Sequence, residues 1–359
     1  SLPSIDVLVS ARDEENVIES LVRRLSCIKY PKDKLNIVII NDGSKDNTGL
    51  LLKELITLFP KLNVINRLRN SGGGKSGALN YALRNLSSEW IFILDADAQF
   101  KEDILLQVIP YAVQRDWSAV QLRKAVINSS KNILTRCQAM EMAMDAVIQE
   151  GRLMAGGIVE LRGNGQLLRR RVLDQCGGFN EETVTDDLDL SFRLLISGVS
   201  VGILWNPPIQ EEAVENFQAL WQQRKRWTEG GLQRFFDYWN FLISKRLSFR
   251  KRVDLLSFFL LQYALPVVSF VDLFISLFLH RFPVYWPLSL IAFFVSGVAY
   301  FRGCSRYVEG PDIPLPKALN LSIAILYLSH WFIVIPWMTL RMVFLPKKLI
   351  WLKTIHSGN

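Results

Sequence analysis

The chain predicts an α/β domain with a mostly parallel sheet, followed by interfacial and transmembrane α-helices. Two patterns carry this. Short apolar runs alternate with helical patterns over the first two thirds of the chain. Long, nearly uncharged stretches dominate from about residue 253 onward. The 359 residues suggest about two domains. The expected division is an α/β domain at 1–228, an amphipathic interfacial helix and basic linker at 229–252, transmembrane helices at 253–346 and a basic tail at 347–359.

Residues 5–9 form an apolar run ending at Ser10-Ala11-Arg12-Asp13-Glu14, and a helical pattern follows. Residues 35–40 end at Asn41-Asp42-Gly43-Ser44 before a second helix. Val64 and Ile65 mark a third strand, after which Gly72-Gly73-Gly74-Lys75 leads into a helix. Residues 90–94 stop at Asp95-Ala96-Asp97. Such spacing reads as βαβ units, and the polar residues gather at strand ends, where open α/β sheets bind ligands. A long helix is expected over about 132–154, and an interfacial amphipathic helix over 232–244. Residues 255–279, 282–301 and 318–340 are each long enough to cross a bilayer, with Pro266 and Pro336 as possible breaks. Three crossings would put the basic C-terminus opposite the catalytic domain, against the positive-inside tendency. The opening Ser1-Leu2-Pro3 lacks a methionine, so the expectation is a fragment of a longer protein.

Composition narrows the chemistry. The histidines are His280, His330 and His356, so the first two thirds has none. That excludes Ser-His-Asp hydrolysis and His-ligated zinc there. Cys27, Cys137, Cys176 and Cys304 are scattered singly, which fits a reducing compartment. The net charge of +8 concentrates at Lys245, Arg246, Arg250, Lys251 and Arg252 before a span, and at Lys347, Lys348 and Lys353 after the last one. This placement favours a membrane surface with anionic lipids over nucleic acid.

Chemistry must therefore run on carboxylates, Lys and Arg. Asp95 and Asp97, spaced i, i+2 after a strand, suit a divalent ion held against a diphosphate, although in isolation such a pair is also an ordinary solvated turn. Gly72-Gly73-Gly74-Lys75-Ser76 ends like a P-loop, but Arg69 stands where the first glycine is required. The loop reads equally as a phosphate-approaching bend with Lys75 as charge partner and as a surface turn. Asp42 is either an acceptor for a base N–H or a helix cap. Asp186, Asp187 and Asp189 are either first-turn charges or the source of a general base. Arg226 and Trp227 are either an interface anchor or a cation and ring facing diphosphate and sugar.

Together these features resemble one family. Residues 10–16, Asn41-Asp42-Gly43-Ser44, Gly74-Lys75, Asp95-Ala96-Asp97, Thr185-Asp186-Asp187 and Gln223-x-x-Arg226-Trp227 follow the order seen in inverting GT-A glycosyltransferases, the group of cellulose, chitin and hyaluronan synthases. The Thr-Asp-Asp element departs from the Thr-Glu-Asp of many relatives. Arg162-Gly163-Asn164-Gly165-Gln166, Thr185-Asp186-Asp187-Leu188-Asp189-Leu190 and Arg226-Trp227-x-Glu229-Gly230-Gly231 are further similar to the cyanobacterial monoglucosyldiacylglycerol synthases.

The resemblance implies a GT-A fold and transfer of glucose from UDP-glucose to diacylglycerol, with inversion. Asp187 would be the base. Ser10, Arg12, Glu14, Asp42, Lys75, Asp95, Asp97 and Arg226 would bind the donor. Gly163, Asn164, Gly165, Asp186, Gln223 and Trp227 would line the acceptor site. Asp97 and Asp95 would hold Mg2+ or Mn2+. The enzyme would be an integral membrane protein with its catalytic domain on the cytoplasmic side. The rival expectations are a processive polysaccharide synthase and a non-catalytic sugar-nucleotide-binding membrane protein.

Overall fold

The computed structural model describes residues 2–310 and 313–345. The strands are β1 (Ile5–Ala11), β2 (Leu35–Asp42), β3 (Leu62–Arg67), β4 (Trp90–Leu94), β5 (Ala119–Val126), β6 (Gln166–Arg169) and β7 (Val201–Glu211). The helices are α1 (Ile18–Ser26), α2 (Thr48–Leu58), α3 (Gly74–Leu83), α4 (Ile104–Gln114), α5 (Ile133–Met154), α6 (Arg170–Gln175) and α7 (Asp186–Ile196). Beyond them come α8 (Phe217–Asp237), α9 (Trp239–Leu242), α10 (Phe249–Phe259), α11 (Leu265–Phe278), α12 (Trp286–Ser305), α13 (Ala318–Leu328) and α14 (Trp331–Phe344). Among the described residues the chain forms two compact units, one drawn from residues up to Ile127 with Val159–Glu212, the other from Asn128–Ile158 and residues 213–345.

The first unit is built on one sheet of order β3-β2-β1-β4-β6-β5-β7. β1 runs parallel to β2 and β4, β2 to β3, and β5 to β7, while β6 is antiparallel to both of its neighbours. β1 and β4 are buried almost throughout, as strands covered on both faces require. Their side chains join α1 and α4 in one core that includes Val7, Val9, Ile18, Leu21, Phe92, Leu94 and Leu105. Because β6 is antiparallel, the loop entering it at Gln166 lies beside the carboxyl end of β4, where Ile93 pairs with Gln166. The sheet thus brings the exits of six strands and the entrance of the seventh, β6, to one edge.

The second unit is helical. Among the described residues, three helices are long and apolar enough to cross a membrane: Phe249–Phe278, Trp286–Ser305 and Ala318–Phe344. At 1.5 Å per residue, their 30, 20 and 27 residues reach roughly 45, 30 and 40 Å, against a hydrocarbon core of about 30 Å. Outward-facing Phe278, Phe294, Leu319 and Leu326 are exposed, as lipid contact demands. Asp272, the one charge expected inside the first span, turns inward and accepts from the Tyr285 N–H at 2.9 Å. Pro266 lies near the start of α11, after a π-helical turn at Leu260–Ala264, and Pro336 lies inside α14. The third span is interrupted at Ser329 and His330 instead.

The expected amphipathic helix at 232–244 is two pieces. Leu232 to Asp237 complete α8, and α9 follows after Tyr238. Phe235 is fully buried against the rings of Phe259 and Tyr263, so part of the apolar face that suggested lipid contact is core. Phe236, Trp239 and Ile243 remain exposed. The boundary expected at 228/229 falls inside α8, and the tail with Lys347, Lys348 and Lys353 lies outside the described residues.

Helix α5 is inserted between β5 and β6 yet packs in the helical unit. An Asn132–Thr135 capping box fixes its start. Ion pairs tie it to the spans: Arg152 with Asp254 at 2.8 Å and Glu150 with Arg306 at 2.5 Å. Near these pairs Gly303 lets the backbones of α12 and α5 meet, since a Cβ there would stand 2.7 Å from the Ala143 backbone.

Candidate active site

Asp42 closes β2. Arg67 Nη1 lies 2.7 Å from its Oδ1 and Arg12 Nη1 lies 3.5 Å from its Oδ2. Asp42 is engaged by these arginines and does not cap α2, whose N-cap is Asn47; Asp46 Oδ1, one residue before that position, accepts from the Thr48 N–H at 3.0 Å. Burial pushes the Asp42 carboxyl above its ordinary value, against the opposing charges of Arg67, Arg12 and Arg69. Arg67 also donates to the Gly72 carbonyl at 2.9 Å, joining the Asp42 end to the glycine loop. Ser10 is half-buried near the end of β1, in register with Ile40. Glu14 is buried, and its N–H donates to the Thr48 hydroxyl at 2.7 Å.

The glycine loop turns into α3 with Gly73 at φ 71°. A Cβ on Gly73 would collide with Glu181 and Gly77, so the bend needs glycine on two counts. The next turn presents Lys75, whose Nζ reaches Asp95 Oδ1 at 2.5 Å. Burial alone would lower the Lys75 ammonium, but Asp95, Asp186 and Asp187 outweigh it and hold it above the ordinary lysine range. Lys75, Asp95, Asp186 and Asp187 are thus one electrostatic cluster, although 92 residues separate Asp95 from Asp187.

The two carboxylates after β4 differ. Asp95 is 38% exposed, while Asp97 is buried and its Oδ2 accepts from the Glu212 N–H at 3.1 Å. Asp95 is held from behind by Asn164, whose Oδ1 accepts the Asp95 N–H at 3.1 Å. Asn164 is fully buried, with its carbonyl receiving Gln121 Nε2 at 2.8 Å and its Nδ2 at 3.3 Å from Glu211. Its neighbours Gly163 and Gly165 take φ of 85° and 73°. A Cβ at Gly163 would lie 3.5 Å from Asp187 Oδ2, so the loop and the α7 terminus are adjacent. Asp95 and Asp97 offer two hard oxygen ligands, which suits Mg2+ or Mn2+ when phosphate oxygens and water complete the shell. No group of three His, Cys, Asp or Glu that could hold a metal occurs among the described residues.

Asp186 and Asp187 open α7. Asp187 has its carboxyl raised to about 6, first by burial and then by the Asp186 charge, against the Leu188 N–H, Lys75 and Arg162. A carboxylate in that range can take a proton near neutrality. Asp186 Oδ2 is buried without a hydrogen-bond partner among the described residues. Asp189, by contrast, is engaged by Asn180 and Arg193, a structural role.

Gln223, Arg226 and Trp227 belong to the helical unit. Their i, i+3, i+4 spacing sets them on one face of α8, all partly exposed. The Arg224 guanidinium lies 4.2 Å from the Trp227 ring centroid.

Sequence reasoning missed Arg67, Lys124 and Glu211. Lys124 pairs with Glu211 at 2.7 Å, and it feels the charges of Asp95 and Asp187. Its signal was faint, a lone lysine in an otherwise buried strand run at β5.

Residues 3–230 match the model of Glycosyltransferase like family 2. A beta-monoglucosyldiacylglycerol synthase of Synechocystis sp. is 43% identical over 361 residues, covering 99% of this chain and 75% of that protein. One from Trichormus variabilis is 43% identical over 363 residues, covering 100% and 78%. Among solved structures, the mannosyltransferase PcManGT from Pyrobaculum calidifontis, in complex with GDP-Man and Mn2+, superposes with a TM-score of 0.66 at 18% identity, covering 96% of this chain and 88% of that one. With this sheet, its acidic strand ends and three apolar helices later in the chain, the chain belongs to glycosyltransferase family 2 and has a GT-A-type fold.

Proposed function

We propose that this glycosyltransferase moves a glucosyl residue from UDP-glucose to the free hydroxyl of 1,2-diacylglycerol with inversion, giving β-monoglucosyldiacylglycerol. The observation that carries the reaction type is Asp187: a carboxylate titrating at about 6, beside Lys75 and the Gly163 loop, in a region without histidine. The acceptor class is supported by the similarity to beta-monoglucosyldiacylglycerol synthases.

Ionised Asp187 accepts the proton of the glycerol hydroxyl. The freed oxygen bonds to the anomeric carbon as the bond from that carbon to the UDP oxygen breaks. One displacement inverts the centre, so an α-linked donor yields a β-glucoside. Such a base contributes about 10²–10⁴-fold. Asp42 with Arg12, Ser10 and Glu14 receives the nucleoside. Lys75 holds Asp95 in place, and Arg226 is assigned to the donor on the family resemblance alone. Asp95 and Asp97 would hold Mg2+ or Mn2+, which when bound neutralises diphosphate charge. Asp186, Gly163, Asn164 and Gly165 shape the acceptor side together with Gln223 and Trp227. The catalytic domain faces the cytoplasm, and the basic cluster Arg250, Lys251 and Arg252 meets anionic lipid.

The test is incubation of purified protein with radiolabelled UDP-sugars and a lipid panel, followed by chromatography. A chloroform-soluble monoglucosyl lipid that requires diacylglycerol is expected. A water-soluble, alcohol-precipitable polymer made without diacylglycerol would refute the proposal in favour of a processive synthase.

A further inference from the structure

Five side chains from four helices meet inside the helical unit. Arg224 of α8 is fully buried, and its Nη2 donates to Glu141 Oε2 of α5 at 2.5 Å and to the Tyr327 hydroxyl of α13 at 2.8 Å. That hydroxyl donates to the same Glu141 oxygen at 3.0 Å, and Trp331 Nε1 of α14 donates to the other at 3.2 Å. Two indoles face the guanidinium, with centroids 4.2 Å away for Trp227 and 5.2 Å for Trp331.

A buried guanidinium stays in place only while it is paired, because an unpaired charge in such surroundings costs too much. Arg224 Nε and Nη1 are buried and have no hydrogen-bond partner among the described residues, and its placement there rests on Glu141, Tyr327 and the two rings. The face of Trp227 in turn rests on that cation, an attraction that strengthens where water is excluded. Glu141 does not lie on the motif face of α8; it comes from the helix inserted after β5.

We propose that Glu141 is a positioning residue: it fixes the Arg224 guanidinium, and the guanidinium fixes the Trp227 indole that frames the acceptor. The proposal rests on the reading of Trp227 as an acceptor-side residue. Buried and paired, the Arg224 charge sets a ring to within the tolerance that transfer requires, since misplacing a reacting partner by about 1 Å can cost up to about 10²-fold in rate.

The test uses the full chain in lipid nanodiscs, labelled with 5-fluorotryptophan. The Trp227 resonance is the one lost in Trp227→Phe. Glu141→Gln should shift or broaden it and raise the KM for diacylglycerol about tenfold, with the donor KM within about twofold. Glu141→Asp, which keeps the charge, should restore part of both. The paired variant Glu141→Leu/Arg224→Met leaves no lone buried charge, so it keeps the fold testable, and it should displace the resonance as well. In a Trp227→Phe background, Glu141→Gln should raise the acceptor KM no further. An unmoved Trp227 resonance in Glu141→Gln and in the paired variant would overturn the proposal, as would an undiminished KM effect in the Trp227→Phe background. A moved resonance with an unaltered acceptor KM would uphold the link and refute instead the acceptor-side reading of Trp227.

Discussion

Replacing Asp186 by Asn removes a charge that touches no acceptor proton in the proposed reaction, yet it should move the pH profile of transfer. Asp187 titrates at about 6 because burial disfavours its charged form and Asp186 adds a like charge. The base works deprotonated, so the rate rises with pH. A single carboxyl with that value is about one-tenth ionised at pH 5 and about half ionised at pH 6, so the wild-type rate at pH 5 should be roughly tenfold below the plateau. Asp186→Asn takes away the second-largest cause of the upward shift, and the midpoint should fall. Lys75→Met removes an opposing charge, and the midpoint should rise. Asp187→Asn keeps shape without basicity; donor binding should persist while the plateau rate drops by about two orders of magnitude or more. The assay is initial-rate transfer at saturating donor and lipid from pH 5 to 8, with UDP binding measured in parallel. A wild-type profile that is flat across this window would refute the reasoning. So would an unmoved midpoint in Asp186→Asn, or near-normal transfer in Asp187→Asn.

Asp97→Ala should abolish transfer with little change in thermal unfolding, and EDTA should do the same to the wild type until Mg2+ or Mn2+ is added back; full turnover in EDTA would remove the metal from the proposal. Gly303→Leu forces a side chain into a spot where a Cβ already stands 2.7 Å from the Ala143 backbone, so it should destabilise the α5–α12 contact by about 1–3 kcal/mol, seen as a lower melting temperature in detergent.

Much of the catalytic unit is legible along the chain because its signals are local. Short continuous apolar runs mark β1, β2 and β4, and each polar strand end follows directly from its apolar run. The fold then places Ser10, Asp42 and Asp95 along one edge, since parallel strands in register end together. The three spans are legible for the same reason, being continuous stretches without charge. Arg67, Lys124 and Glu211 are different. Nothing near Lys124 in sequence announces a partner 87 residues away, and the bulge between Leu122 and Lys124 that shifts the register against β7 has no local marker. The break in the third span also escapes local reasoning. Pro336 suggested it, but α14 runs through the proline and the turn falls at Ser329 and His330.

By itself the sequence determined the α/β class, the motif carboxylates and the apolar helices, because hydrophobic periodicity and strand-end chemistry depend on residues within a few positions of one another. Only the tertiary structure decided that the Asp187 carboxyl should be raised to about 6, that Asn164 should brace Asp95, and that α5 should pack among the helices around the Glu141–Arg224 pair. Those outcomes depend on burial and on charges brought together from distant segments, and neither is set until strand register and helix packing are fixed.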